Sequence, residues 1–96
     1  MEITVNTYDD FKKLTQARDI RIAEALYDVI ISNLNTKKRS IYFLSVHIVE
    51  EEKIVDLTVE RPYFKDTLEE LLPTFIEYEK YEECKIIKET IETLNK

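Results

Sequence analysis

The sequence has no glycine among its 96 residues. Glycine lets a loop backbone approach a phosphate closely, so its absence excludes Walker-type loops and dinucleotide-binding fingerprints. Cysteine and histidine occur once each, as Cys84 and His47. One of each cannot form an intramolecular disulfide or supply the four ligands of a structural zinc site. We therefore expect a chain without disulfide, metal or cofactor.

Long apolar runs are also missing, since no stretch approaches the 18 or so residues of a membrane span. The first residues, Met1 to Asn6, are largely polar and do not resemble a signal peptide. Together with the single thiol, these features predict a cytoplasmic protein. A chain of 96 residues builds one hydrophobic core. We therefore expect one domain over residues 1–96.

Basic residues are scarce in one segment. The whole chain carries a net charge of −6, but residues 50–83 alone hold twelve acids against four bases. Because nucleic-acid phosphates are bound through Lys and Arg, this segment is unsuited to direct nucleic-acid binding. The basic run Lys37 to Arg39 follows a predicted helix, where cations favour the negative helix end, and is interpreted as a solvated cap.

Residues 41–60 are rich in β-branched and aromatic side chains and predict a central β-hairpin. Val55, Leu57 and Val59 alternate with polar residues, so they lie on one face of the second strand. This apolar face requires a cover. The rest of the fold is expected to supply it.

A turn at Glu51 and Glu52 sets the predicted register. It pairs Ile48 with Val55, Val46 with Leu57, Leu44 with Val59, Glu50 with Lys53, His47 with Asp56, and Ser45 with Thr58. Two-residue hairpin turns prefer Asn or Gly, which this turn lacks. A four-residue connection is therefore an equal alternative.

The residues before the hairpin predict one strand and then helix. Glu2 to Asn6 alternates and is expected to join the hairpin as a third strand. Thr7 is placed to cap a helix from Tyr8. The polar run Thr15 to Asp19 favours a break, with Asp19 capping a second helix that crosses the hairpin, although one helix over residues 8–34 is the alternative. Asn35 is the expected left-handed C-cap.

After the hairpin, Pro62 ends the second strand and Thr67 to Glu70 forms a capping box for a helix starting at Leu68. Pro73 is expected to kink or restart this helix. A turn near Glu79 leads to the last helix. The expected buried side chains on the first helix are Leu68, Leu71, Leu72, Phe75 and Ile76. On the second helix, one narrow face carries Tyr81, Cys84, Ile87, Ile91 and Leu94.

The predicted fold class is therefore α+β. A two- or three-stranded antiparallel sheet packs against helices, and the chain ends in an antiparallel helical hairpin at about residues 67–95.

The last helix carries a family resemblance. Tyr81-Glu82, Ile87-Lys88, Ile91 and Leu94 match positions of the UVR-type helical hairpin found in the excision-repair protein UvrB and in Clp-family chaperone regulators. Cys84-Lys85 stands where that family usually has two alanines, which allow close helix approach. The resemblance implies a two-helix unit that docks other proteins.

The candidate partner-binding residues are Glu77, Tyr78, Glu79, Tyr81, Glu82 and Glu83. Tyrosines exposed among charges give anchoring area at low entropic cost. The alternative is that Tyr81 packs inside the helical hairpin and the glutamates only keep the surface hydrated. Cys84 is expected to be a buried structural thiol. His47, near Glu50, is expected to be exposed rather than a metal ligand, because strand side chains at this spacing do not converge.

No constellation of catalytic residues is apparent, so an enzyme is not predicted. The leading hypothesis is a small acidic protein-interaction module or regulator that docks another protein through its helical hairpin. One alternative is a nucleic-acid-mimicking inhibitor, of the kind viruses encode, directed at a nucleic-acid-binding protein. Another is a self-associating structural protein, a homodimer formed through the hairpin edge or an amphipathic helix.

Overall fold

The computed structural model describes residues 2–16 and 19–95. Its α+β architecture agrees with the predicted fold class. The elements are β1 (Glu2–Val5), α1 (Tyr8–Gln16), α2 (Ile20–Ser32), β2 (Ser40–Ile48), β3 (Lys53–Glu60), a 3₁₀ turn (Arg61–Tyr63), α3 (Phe64–Glu77) and α4 (Tyr81–Leu94).

The sheet has three strands in the order β1-β2-β3 within the described chain. β2 and β3 form the predicted antiparallel hairpin, but β1 runs parallel to β2, with Ile3 beside Val46 and Val5 beside Ile48. The sheet is therefore mixed rather than antiparallel throughout. The reason is the crossover: α1 and α2 carry the chain from the end of β1 back to the start of β2.

The predicted hairpin register is wrong by two residues. Val46 pairs with Val55 and Leu44 with Leu57, and the connection is the four-residue alternative between Ile48 and Lys53. The pairing of His47 with Asp56 is therefore lost. Ser45 lies opposite Asp56 instead, and its Oγ donates a hydrogen bond to Asp56 Oδ1 at 2.7 Å. Between Leu44 and the turn, a shift of two residues keeps the side chains on their predicted faces.

A β-bulge at Phe43 interrupts the register between Tyr42 and Leu44. The bulge is one extra residue in β2, so the alternation of side chains along β2 shifts by one residue at this point. For this reason Ile41, opposite Val59, and Leu44, opposite Leu57, both lie on the apolar face. The apolar face therefore continues along the whole hairpin.

Two buried clusters cover this face. The first joins one end of the sheet to α2, α3 and α4, and the second joins the other end to β1 and α1. Phe43 packs against both. The fully buried large side chains are Ile30, Phe64, Leu68, Phe75 and Ile87 in the first cluster, and Leu44, Val46 and Ile48 in the second. As predicted, α2 crosses the hairpin.

Side-chain caps fix the helix boundaries. Thr7 Oγ1 accepts from the Asp10 N–H at 3.1 Å, and Asp19 accepts from the Arg21 N–H at 2.8 Å, so the predicted caps and the helix break are confirmed. Hydrogen bonds from the Arg21 side chain also hold the pKa of Asp19 below its usual value. The expected C-cap at Asn35 is wrong. Asn33 ends α2 instead, and its Nδ2 donates to Val29 O at 2.7 Å.

The third helix starts earlier than predicted. It begins at Phe64 because the 3₁₀ turn containing Pro62 already curls the chain, so Thr67 lies inside the helix and the capping box is wrong. Pro73 does not restart the helix, which continues to Glu77. Buried Leu71 and Phe75 flank Pro73 on the inner face, and their packing holds the helix together across the missing N–H.

The hairpin turn offers a test of backbone strain. Glu52 adopts a left-handed conformation, with φ of 50°, which costs a non-glycine residue about 1 kcal/mol. Glu52→Gly is expected to raise the free energy of unfolding by about 0.5–1 kcal/mol in urea titrations. Glu51→Gly removes the same charge at a residue with ordinary φ and is expected to lower it. Equal effects of the two changes would contradict this assignment.

The packing of α4 is tested by two neighbours. Ile87 is fully buried, whereas Ile86 is exposed. Ile87→Val is expected to lower the free energy of unfolding by about 0.5–1.5 kcal/mol, through lost contacts and a small cavity. Ile86→Val is expected to change it by less than about 0.5 kcal/mol. A larger loss at Ile86 would mean that α4 is rotated from its described position.

Candidate functional site: the tip of the helical hairpin

The candidate site lies where α3 turns into α4. The turn is a Schellman motif, in which Lys80 N–H donates to Phe75 O at 2.9 Å and Glu79 N–H donates to Ile76 O at 3.0 Å. Glu79 occupies the left-handed position that is usually glycine, with φ of 57°. Such a tight connection places the two helices side by side as an antiparallel pair.

An ion pair fastens this turn to the rest of the molecule. Lys80 Nζ lies 2.7 Å from Glu24 Oε1 on α2, and this hydrogen bond raises the pKa of Lys80. No local pattern in the sequence predicts the contact, because the two residues lie on elements far apart in the chain. Lys80 of the turn is therefore already paired with a carboxylate of its own chain.

Five of the six predicted partner-binding residues are exposed together at this tip. Tyr78 and Tyr81 have 48% and 63% of their surface exposed, so the alternative in which Tyr81 packs inside the hairpin is wrong. The other exposed residues are Glu77, Glu79 and Glu82. Glu83 is partly buried and lies toward α2, where its charge acts on Tyr27.

No ion pair of the described chain includes a tip carboxylate, although Lys80 lies close enough to Glu83 for their charges to interact. In the parts of the chain that the structure describes, ion pairs join Arg21 to Asp19, Lys65 to Glu69 and Lys80 to Glu24. None of these pairs includes a glutamate of the predicted site. Glu77, Glu79 and Glu82 therefore present negative charge that no ion pair of the described chain neutralises.

An open groove lies along α4 near the tip. Ile76 of α3 and Tyr81 of α4 line it, together with Cys84, which is buried as expected. The full lining is Ile76, Tyr81, Cys84, Lys85, Lys88, Glu89 and Glu92. The groove thus combines an apolar end with charged walls of both signs.

Ile76 was predicted to be buried, but 47% of its surface is exposed. Leu68, Leu71 and Phe75 fill the inner stripe of α3 at helical spacing, and Ile76 follows Phe75 by about 100° around the helix axis. That offset places it at the groove. The adjacency of two large apolar residues was the signal in the sequence that one of them would face outward.

Tyr27 lies beneath the site, in edge-to-face contact with Phe75 at 5.4 Å between ring centroids. Burial raises the pKa of Tyr27, and the charges of Glu83 and Asp28 raise it further. The neutral phenol is therefore the form that the folded protein favours.

Other functional sites find little support in the described residues. No group of three His, Cys, Asp or Glu side chains is arranged to hold a metal ion across residues 2–16 and 19–95. No helix in that part of the chain has the length and hydropathy needed to cross a membrane. His47 is exposed and lies opposite Ile54.

No protein-family model, curated protein or solved structure matches this chain. The UVR-type resemblance of the last helix therefore stays a prediction. What the structure adds is geometric: α3 and α4 do form a helical hairpin, with Ile87 buried and Tyr81 at the surface.

Titration of Tyr27 tests the placement of Glu83. Because folding raises the pKa of Tyr27, the associated stability is present below the unfolded pKa of about 10 and is lost as the pH rises through the folded value. Glu83→Gln is expected to lower the pKa of Tyr27, followed by NMR of ring-labelled tyrosine. Glu82→Gln removes the same charge from an exposed neighbour and should change this pKa less. A larger effect of Glu82 would contradict the inward position of Glu83.

Proposed function

We propose that this chain is a non-catalytic protein-interaction module of the cytoplasm, a small acidic regulator that docks another protein through the tip of its helical hairpin. The observation that carries the proposal is the exposure of Tyr78 and Tyr81 among glutamates that have no cationic partner in the described chain.

The chemistry of the tip selects the kind of partner. Unpaired carboxylates favour a basic surface, because complementary charge guides encounter and disfavours wrong partners. Ile76 and Tyr81 give the same surface an apolar point of contact at the groove. The partner is therefore a basic protein segment with an apolar or aromatic side chain that enters the groove beside these residues.

The two tyrosines supply the binding energy in this proposal. A tyrosine ring buries a large area on binding, loses little rotamer entropy and keeps its hydroxyl available for a hydrogen bond. Isolated surface carboxylates contribute less, because exposed ion pairs are worth about 0–1 kcal/mol each. In this proposal the tyrosines therefore supply the affinity, and the glutamates supply the selectivity for a basic partner.

A nucleic-acid-mimicking inhibitor is the second candidate, favoured by the same unpaired carboxylates. The two proposals differ in what holds the complex together. A mimic depends on charge, so it dissociates in salt and competes with nucleic acid. A docking tip anchored by tyrosine and isoleucine depends on apolar burial, which salt does not weaken.

Matched tyrosine variants test the proposal. Tyr81→Ala removes a tip anchor, whereas Tyr63→Ala removes a tyrosine of similar exposure, 60%, outside the hairpin tip. In pull-downs from lysate with quantitative mass spectrometry, a partner captured by the wild type and by Tyr63→Ala should fall at least about tenfold with Tyr81→Ala, as expected for a binding hot spot. Equal capture by all three proteins would refute docking through the tip.

Salt and competitor distinguish the two candidates. Washing at about 0.5 M salt shortens the Debye length to roughly 4 Å and removes charge-driven partners. Retention at this salt, with perturbed NMR signals of Tyr78 and Tyr81 on addition of the purified partner, supports docking. Loss at this salt, together with displacement by duplex DNA or RNA, supports mimicry instead.

A further inference from the structure

The outer edge of β3 has no partner strand. β3 is the last strand of the sheet, spans eight residues and is twice as long as β1, the other edge strand. The main helix contacts with the sheet are on β1 and β2, and the helices cover β3 chiefly at Val59, which belongs to the first buried cluster. A long uncovered edge presents backbone N–H and C=O groups that an additional strand can pair with.

The backbone hydrogen bonds show which residues face this free edge. Arg61 N–H, just past β3, donates to Arg39 O at 2.7 Å and so continues the ladder with β2. In an antiparallel pair, residues alternate between those directed to the partner strand and those directed away. Odd-numbered residues of β3 therefore face β2. Those with backbone groups facing the free edge are Ile54, Asp56, Thr58 and Glu60.

Side-chain burial along β3 also indicates that the sheet could accept a further strand. Val55 and Leu57 lie on the apolar face, yet both remain partly exposed, unlike Val59 at the covered end. On the opposite face, 60% of the surface of Ile54 is exposed. A further strand beside β3 would cover apolar surface on both faces.

We propose that this edge pairs with the same edge of a second copy of the chain, forming one six-stranded sheet across a two-fold axis. In the register we propose, Leu57 lies opposite Leu57 of the other copy, so that Asp56 faces Thr58, Ile54 faces Glu60 and Val55 faces Val59. Residues whose backbone groups face the free edge then lie opposite each other, which allows the two β3 strands to form hydrogen bonds. The apolar faces of both copies are then continuous.

Charge selects this register over its neighbours. Sliding one copy by two residues in one direction places Asp56 opposite Asp56, and sliding it in the other direction places Asp56 opposite Glu60. Like charges directly opposite each other on neighbouring strands are destabilising. Shifts by one residue fail because edge-facing groups would meet groups already bonded to β2. Between Ile54 and Glu60 the edge is therefore self-complementary in this register. At each end Lys53 comes opposite Arg61, whose guanidinium donates to Lys38 O and Thr36 Oγ1 of its own chain.

The test introduces opposite charges at Thr58. In the proposed dimer, Thr58 of each copy faces Asp56 of the other, so the contact occurs twice. Thr58→Asp should weaken the dimer and Thr58→Lys should strengthen it, each by about threefold to tenfold in the dimer Kd, relative to controls of equal net charge. The controls are Ser32→Asp and Ser32→Lys, at an exposed position on α2. Kd is measured by sedimentation velocity over a range of concentrations.

A proline variant provides a second readout. Thr58→Pro removes a backbone N–H that faces the free edge and makes no bond to β2, which an edge strand tolerates. It should be monomeric, with circular dichroism that remains that of the folded chain. The proposal is overturned if the wild type stays monomeric up to about 1 mM, because at that concentration only a very weak dimer would escape detection. It is also overturned if the Thr58 variants match their Ser32 controls.

Discussion

The structure depends on covering one apolar sheet face. Leu44, Val46 and Ile48 on β2 are almost completely buried, and they can be so only because helices lie over them. Burying each such side chain contributes about 1.5–3 kcal/mol, and this burial is one of the terms that offset the entropy lost when α1, α2 and β1 are ordered above and beside the hairpin. The positions of the helices follow from this requirement, and so does the outward direction of the hairpin tip.

The lack of glycine shows how local strain is accommodated. Two positions, Glu52 in the strand turn and Glu79 in the helix turn, adopt left-handed φ values that glycine normally occupies. In each case a hydrogen-bonded turn holds the residue in place: Glu52 N–H donates to Val49 O, and Glu79 N–H donates to Ile76 O. Tertiary packing on both sides of the turns offsets the local cost. Both strained residues also add a carboxylate at a chain reversal.

Most features governed by nearby residues were predicted from the sequence, although the C-cap at Asn35 and the capping box at Thr67 were not. The hairpin, the caps at Thr7 and Asp19 and the turn at Glu79 follow from alternation, side-chain hydrogen bonding and breaks in apolar spacing. Features that depend on contacts distant in sequence were not. The parallel direction of β1 is set by the crossover, and the register depends on the bulge at Phe43.

The candidate site also combines features set by nearby residues with features set by contacts distant in sequence. Exposure of Tyr78 and Tyr81 was predicted because charged residues surround them. The outward position of Ile76 and the link from Lys80 to Glu24 depend on the rotation of α3 and on its contact with α2, which periodicity alone does not fix. The early start of α3 was missed because Pro62 opens a 3₁₀ turn, a function that its lack of an N–H permits.

The parallel strand has a consequence for the order of folding. β2 and β3 meet across a four-residue turn, and α3 meets α4 across an equally local one, so their loops close at little entropic cost. β1 instead pairs Ile3 with Val46, which requires both intervening helices to be in place. Contacts of such long sequence separation slow folding. We therefore expect the two hairpins to form early and the N-terminal strand to close the sheet last.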